Sequence, residues 1–223
     1  MNAYIKKTGF AADKNILVLD KRFGYKLDVS CLHEKELPLY ERKNRHRKQE
    51  FLMGRFAVKY LAAREMDVPY EDIYVLNKES GGQEGRPELY IGNELSDRFI
   101  SISHDKGKVL AGIAEHCIGA DVAVNRRNFA GWGTLAYPGK AAGDTVAACL
   151  IWAMKEAFAK ALGIGLRYGI HSVEICSIDW EKGIAGLELS RPVLPYITGY
   201  SDIYFEYEVE KEAAYVMCHL LKM

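Results

Sequence analysis

Apolar and polar positions change their period several times along the chain, and each change marks an element. Residues 14–20, KNILVLD, are a run of branched and apolar residues bounded by charge, which predicts a first strand. Over 34–66 the apolar positions Phe51, Phe56, Val58, Tyr60 and Leu61 predict a helix with one apolar face, preceded by a dense basic run. EDIYVLNK, 71–78, predicts a strand, and the turn-rich ESGGQEGRPEL follows it. RFISISHD, 98–105, alternates as a half-buried strand does. KVLAGIAEHCIGADVAV then predicts two strands joined by a tight turn near Glu115 and His116, which would bring Ser103, His104 and Asp121 to one sheet edge.

Beyond a Gly-rich loop, Asp144 is placed to cap a helix from Thr145 to Leu162, with Gly163 as its stop. SVEICSI, IAGLELS and DIYFEYEVEKEAAYVMCHLL predict the closing strands. Strand, helix and strands thus occur twice in the same order. That order predicts an α+β fold of two similar halves, 1–117 and 118–223, each a helix packed on a mainly antiparallel sheet.

Composition narrows the function classes. Thirty basic residues balance thirty acidic ones, so no overall charge draws the protein to nucleic acid or anionic lipid. The five cysteines are odd in number and never spaced C-x-x-C, which predicts free thiols in a reducing cytoplasm. The start has no apolar segment followed by a small-residue cleavage site, so no secretion signal is expected. The longest apolar run, Val146 to Met154, is too short to span a bilayer, and no membrane partner is expected.

Three groups of residues could carry chemistry. Arg42, Lys43, Arg45, Arg47, Lys48 and Arg55 crowd one stretch, and on a helix Arg45, Lys48 and Arg55 would share one side. Guanidinium forks and lysine amines suit phosphate oxygens, although a solvated helix face has the same composition. His104 in SISHD could donate to a phosphate or act as an acid or base; a hydrogen-bonded histidine at a strand end is the alternative. Asp121 and Glu156 both sit among apolar residues, where an uncompensated carboxylate is costly. A divalent cation would remove that cost, and Mg²⁺ takes few protein carboxylates beside phosphate oxygens and waters. A Glu156–Lys160 ion pair one helical turn long is the simpler account.

The wording of these groups, in order, resembles the Sfp-type 4′-phosphopantetheinyl transferases. The matching pieces are FLMGRFAVK (51–59), GRP (85–87), SISH (101–104), IGADV (118–122) and WAMKEAFAK (152–160), the last fitting W-x-x-K-E-A-x-x-K at every fixed place. The resemblance implies two pseudo-symmetric α+β halves with coenzyme A and Mg²⁺ in the cleft between them. It implies transfer of phosphopantetheine from coenzyme A to a serine of an apo acyl or peptidyl carrier protein by a monomer, with no nucleic acid involved. By the same resemblance Arg55, Arg86 and His104, with Arg47 or Lys48, would hold coenzyme A phosphates, and Ser103 would help through a backbone or hydroxyl contact. Asp121 and Glu156 would ligate Mg²⁺, Glu156 would take the serine proton, and Lys160 would stabilise pyrophosphate charge. Lys155 belongs to the motif in a supporting role only.

Two features depart from that family. Its metal motif reads G-I-D-x-E, whereas here GADVA puts Ala123 in the place of the second carboxylate. The stretch between Asp121 and Glu156 is short and rich in Gly and Ala where relatives have a longer helical segment that contacts the carrier. A degenerate member that binds coenzyme A or carrier protein without turnover is therefore the alternative. A nucleic-acid module on residues 42–55 is a third reading, disfavoured by the neutral charge and by the absence of an aromatic-rich single-strand motif.

Overall fold

The computed structural model describes residues 1–10, 13–24, 26–79, 83, 85–125, 139, 141 and 144–222. Its strands and helices are, in chain order, β1 (Asn2–Lys7), β2 (Ile16–Asp20), α1 (Leu37–Glu41), α2 (Arg45–Met66), β3 (Ile73–Asn77), β4 (Pro87–Ile91), β5 (Glu94–Leu95), β6 (Phe99–Asp105), β7 (Lys108–Ala114), β8 (Cys117–Val124), α3 (Thr145–Ala161), β9 (Val173–Asp179), β10 (Ile184–Leu189), α4 (Leu194–Ile197), β11 (Tyr200–Val209) and β12 (Ala213–Lys222). They form an α+β fold in two compact units, Phe10–Glu115 and Met1–Gly9 with His116–Met223. The first nine residues thus join the C-terminal unit, whereas the sequence pattern assigns them to the first half.

In the Phe10–Glu115 unit, α2 packs on the antiparallel sheet β2-β7-β6 and on β3 of a second sheet, β3-β4-β5. Leu61, Ile73, Leu89, Ile100, Val109 and Ile113 fill its core, all nearly inaccessible to water. The helix expected over 34–66 is interrupted. A 3₁₀ turn at Glu34–Glu36 and the short α1 precede it, and Asn44 then starts α2 by accepting the Arg47 N–H at 3.1 Å.

The other unit is one six-stranded sheet, β8-β12-β11-β1-β10-β9, antiparallel except where β1 runs parallel to β11. Helix α3 lies against β8 and β12. Asp144 caps it by accepting the Val146 N–H at 2.8 Å, and Gly163 ends it in a left-handed conformation, φ 73°, as the sequence predicts. Phe158 is fully buried, with its ring 6.4 Å from that of Phe205.

Two expectations fail. β7 and β8 are both strands, but they do not pair: β7 lies between β2 and β6, while β8 pairs with β12. Ser103 and His104 therefore do not share a sheet edge with Asp121. β1 was not expected, and its alternation of buried Ala3 and Ile5 with exposed Asn2, Tyr4 and Lys6 is the signal for it.

Candidate active-site residues

In the Phe10–Glu115 unit a cavity of about 180 Å³ is lined by Lys43, Arg47, Glu50, Phe51, Gly54 and Arg55 on the α2 side and by Ile102 and His104 of β6, with Gly85 and Pro87 nearby. Arg47, Glu50, Phe51, Gly54 and Arg55 follow the i, i+3, i+4, i+7, i+8 spacing of one helix face. The stripe predicted from Arg45, Lys48 and Arg55 is therefore displaced. Arg45 is exposed, and Lys48 lies over the Tyr40 ring, 4.6 Å from its centre and outside the cavity lining.

Arg55 is not a solvated arginine. Its side chain is only 8% exposed, its guanidinium stacks 4.5 Å from the Phe51 ring centre, and its Nε is 3.3 Å from Glu36 Oε1. That Nε nevertheless has no aligned hydrogen-bond partner. Burial pulls its pKa down to about 10, against the opposing pull of Glu36. Glu36 has no exposed surface; it also accepts from the His33 and Val75 amides, each at 3.0 Å, and lies 3.7 Å from Lys59 Nζ.

Arg86 precedes β4, between cavity-lining Gly85 and Pro87. Its guanidinium lies 5.0 Å from the Phe99 ring centre, Nη1 is 3.4 Å from Gln83 Oε1, and Nη2 is buried without a hydrogen-bond partner. Buried guanidinium N–H groups lacking acceptors suit an anionic oxygen supplied by a ligand. His104 Nδ1 is 3.0 Å from Glu50 Oε2. Ser103 falls on the opposite face of β6 by strand alternation and is buried.

In the C-terminal unit, β8 and α3 position the second group. A Cβ at Gly119 would stand 1.9 Å from the Ala157 carbonyl oxygen and 2.4 Å from the Ala161 nitrogen, so only glycine allows the strand to approach the helix so closely. Asp121 and Ala123 follow on the same face of β8. Lys160 Nζ donates to Asp121 Oδ1 at 2.7 Å and to the Ala120 carbonyl at 3.1 Å. Lys160 thus bonds Asp121, while its charge also acts on Glu156. Glu156 is 9% exposed, and its pKa rises to about 7, first because of burial and then because of the Asp121 charge, with Lys160 opposing.

Lys155 is buried and paired with Glu174 of β9, which ties α3 to that strand. Ala123 contributes no ligand, and no group of three or more acidic, histidine or cysteine side chains that could hold a metal occurs among the described residues. Two buried, mutually repelling carboxylates still fit a cation that completes its shell with waters and substrate oxygens. The Gly- and Ala-rich segment between Asp121 and Glu156 lies mostly outside the described residues.

Residues 134–218 match the 4′-phosphopantetheinyl transferase superfamily. A holo-[acyl-carrier-protein] synthase of Streptococcus equi subsp. equi is 32% identical over 108 residues, which is 46% of this chain and 85% of the relative. The chain belongs to the 4′-phosphopantetheinyl transferase superfamily. A synthase of the same description from Mycoplasma capricolum subsp. capricolum is 34% identical over 104 residues, 44% of this chain and 86% of the relative. In this transferase, sequence reasoning passed over Glu36 and Glu50, both acids within or beside a basic stretch. The spacing His33-x-x-Glu36 was the available signal for the first, since it makes a capping box. No helix among the described residues is long and apolar enough to cross a membrane.

Proposed function

We propose that this chain transfers the 4′-phosphopantetheine group from coenzyme A to a serine of an apo acyl or peptidyl carrier protein, releasing 3′,5′-ADP. Membership of the superfamily and similarity to holo-[acyl-carrier-protein] synthases support the reaction class. The observation that carries the assignment of residues is Glu156, buried beside Asp121, where burial and the neighbouring carboxylate raise its proton affinity in the absence of a cation. A cation held by the two carboxylates would relieve their repulsion and keep Glu156 ionised, the form that accepts a proton.

The serine oxygen forms a bond to the phosphorus that carries pantetheine, and the bond from that phosphorus to 3′,5′-ADP breaks with its electron pair going to the departing phosphate. Glu156 accepts the serine proton, directly or through a water. Lys160, already held on Asp121, places a positive charge near the oxygens that gain negative charge. Arg55, Arg86 and His104 bind coenzyme A phosphates, with Arg47 favoured over Lys48 because it lines the cavity. Ser103 would contribute through its backbone. Asp121 and Glu156 would hold Mg²⁺, which supplies neutralisation of pyrophosphate charge when bound. Five cysteines outside any disulfide support action in the cytoplasm.

Ala123 favours one competing reading, binding of coenzyme A or carrier without turnover. Incubation with coenzyme A, Mg²⁺ and a panel of apo carrier proteins, read by intact mass, separates the two. A phosphopantetheine mass gain, lost in Glu156→Gln, is expected. Coenzyme A binding with no gain on any carrier would replace transfer by the binding-only reading.

A further inference from the structure

Among the described residues lining the α2 cavity, Glu50 is the one carboxylate, set among Lys43, Arg47, Arg55 and His104. An acid opposes anion binding, so its presence there calls for a physical reason. Its two oxygens are both engaged: Oε2 is 3.0 Å from His104 Nδ1, and Oε1 accepts the Gly107 N–H at 2.8 Å. Both partners belong to the β6–β7 hairpin, whose tip residues Lys106 and Gly107 have φ of 48° and 82°. That tip is fixed again from below, because the Gly107 carbonyl accepts the Lys21 N–H at 2.8 Å. Glu50 therefore clamps one helix to one hairpin through the ring of His104.

The surrounding charges favour the same role for Glu50. Three cations around a cavity disfavour a fourth, so Lys43, Arg47 and Arg55 push an imidazole there toward its neutral form. Asp105, next on β6, is the nearest acid in sequence, while Lys106 is at the tip and Lys108 of β7 is buried against Asp20 at 2.7 Å. A carboxylate in contact with Nδ1 reverses the balance and favours imidazolium.

We propose that Glu50 is a positioning residue for coenzyme A binding: it holds His104 cationic and in one orientation, so that the cavity receives a phosphate with a full positive charge at neutral pH. This rests on the proposed binding of coenzyme A by the same cavity. It extends that reading by assigning the pH range of binding to a residue that need not touch the ligand.

The test has two arms. In the first, the ¹⁵N shifts of His104 are followed against pH in the full chain without ligand. The imidazole should remain protonated above pH 7 in the wild type and lose its proton at least one pH unit lower in Glu50→Gln. In the second, coenzyme A affinity is measured by calorimetry at pH 8 and pH 5.5. Glu50→Gln should weaken binding about tenfold at pH 8 and less than twofold at pH 5.5, where His104 is protonated without help. In the transfer assay the loss should fall in KM for coenzyme A rather than in kcat.

A wild-type His104 that is neutral at pH 7, or a loss of affinity equal at both pH values, overturns the proposal. The first arm needs no coenzyme A and no folded variant to give that answer. If instead the wild type shows a protonated His104 but no coenzyme A binding, the proposed ligand fails while the Glu50–His104 charge coupling stands.

Discussion

Replacing Glu36 by glutamine removes one charge from a site with no exposed surface while keeping size and shape. The carboxylate accepts two amide protons, from His33 and Val75, and faces two buried cations, Arg55 at 3.3 Å and Lys59 at 3.7 Å. Taking away one partner of a buried ion pair costs about 3–5 kcal/mol, because the remaining charge is left in a poor solvent. The glutamine carbonyl can keep one amide satisfied, but its NH₂ then faces the other donors, and a buried unsatisfied donor costs about 1–3 kcal/mol. These losses overlap, and about 4 kcal/mol at pH 7 is the expected sum. Only part can be recovered by deprotonation. Burial already lowers the Lys59 pKa against the pull of Glu36, so loss of Glu36 lowers it further and the amine sheds its proton more readily than the intrinsically far more basic guanidinium of Arg55. With a folded pKa below the unfolded one, the unfolded state binds more protons, so stability of the variant rises with pH as Lys59 becomes neutral. Hydrogen exchange across 45–66 and 73–77 measures the effect. A loss of about 4 kcal/mol reads as roughly a 1,000-fold drop in protection at pH 7. The triple change Glu36→Leu, Arg55→Met, Lys59→Met should restore most of the protection while still weakening coenzyme A binding. A drop of less than tenfold at pH 7, or no recovery in the single variant at higher pH, would refute the charge argument.

Three further outcomes are expected. Ala123→Glu should lower the Mg²⁺ concentration for half-maximal transfer, since residue 123 shares the Asp121 face of β8; an unchanged requirement would mean that the third carboxylate is not limiting. Without metal, the folded state holds the Glu156 proton more tightly than the unfolded chain, so stability should fall by up to about 3 kcal/mol as pH rises from about 4.5 to about 7; melting curves in chelator should show that fall, and Mg²⁺ should flatten it. Gly119→Ala should force β8 away from α3, with lost thermal stability and Mg²⁺ dependence displaced to higher concentration, whereas a variant with wild-type melting and metal response would contradict the close approach.

Much of the fold could be read from period alone. Helix α3, with its Asp144 cap and Gly163 stop, and the strands at 16–20, 73–77 and 99–105 follow from local pattern and capping chemistry. What failed was pairing. A tight turn at Glu115–His116 looks the same whether the next strand returns to its neighbour or leaves for another sheet, and only partners such as Val216, opposite Asp121, decide. The candidate site divides along the same line. Residue types and motif order singled out Arg55, Arg86, His104, Asp121, Glu156 and Lys160, but not that Arg55 is buried on Phe51 or that Lys160 joins Asp121. Glu36 and Glu50 escaped notice because an acid among Lys and Arg reads as solvated until burial is known.

The position of β1 has a consequence for the order in which the protein takes shape. Tyr4 pairs with Tyr204 and Asn2 with Gly186, so β1 lies between two strands that are made long after it. Every residue of the Phe10–Glu115 unit is synthesised before that gap exists. That unit can fold early on its own contacts, while Met1–Gly9 must wait for β10 and β11 before it can pair. The proposed metal ligands Asp121 and Glu156 belong to the later unit. Completion of the six-stranded sheet, and not the appearance of α3, is then the step that completes this unit.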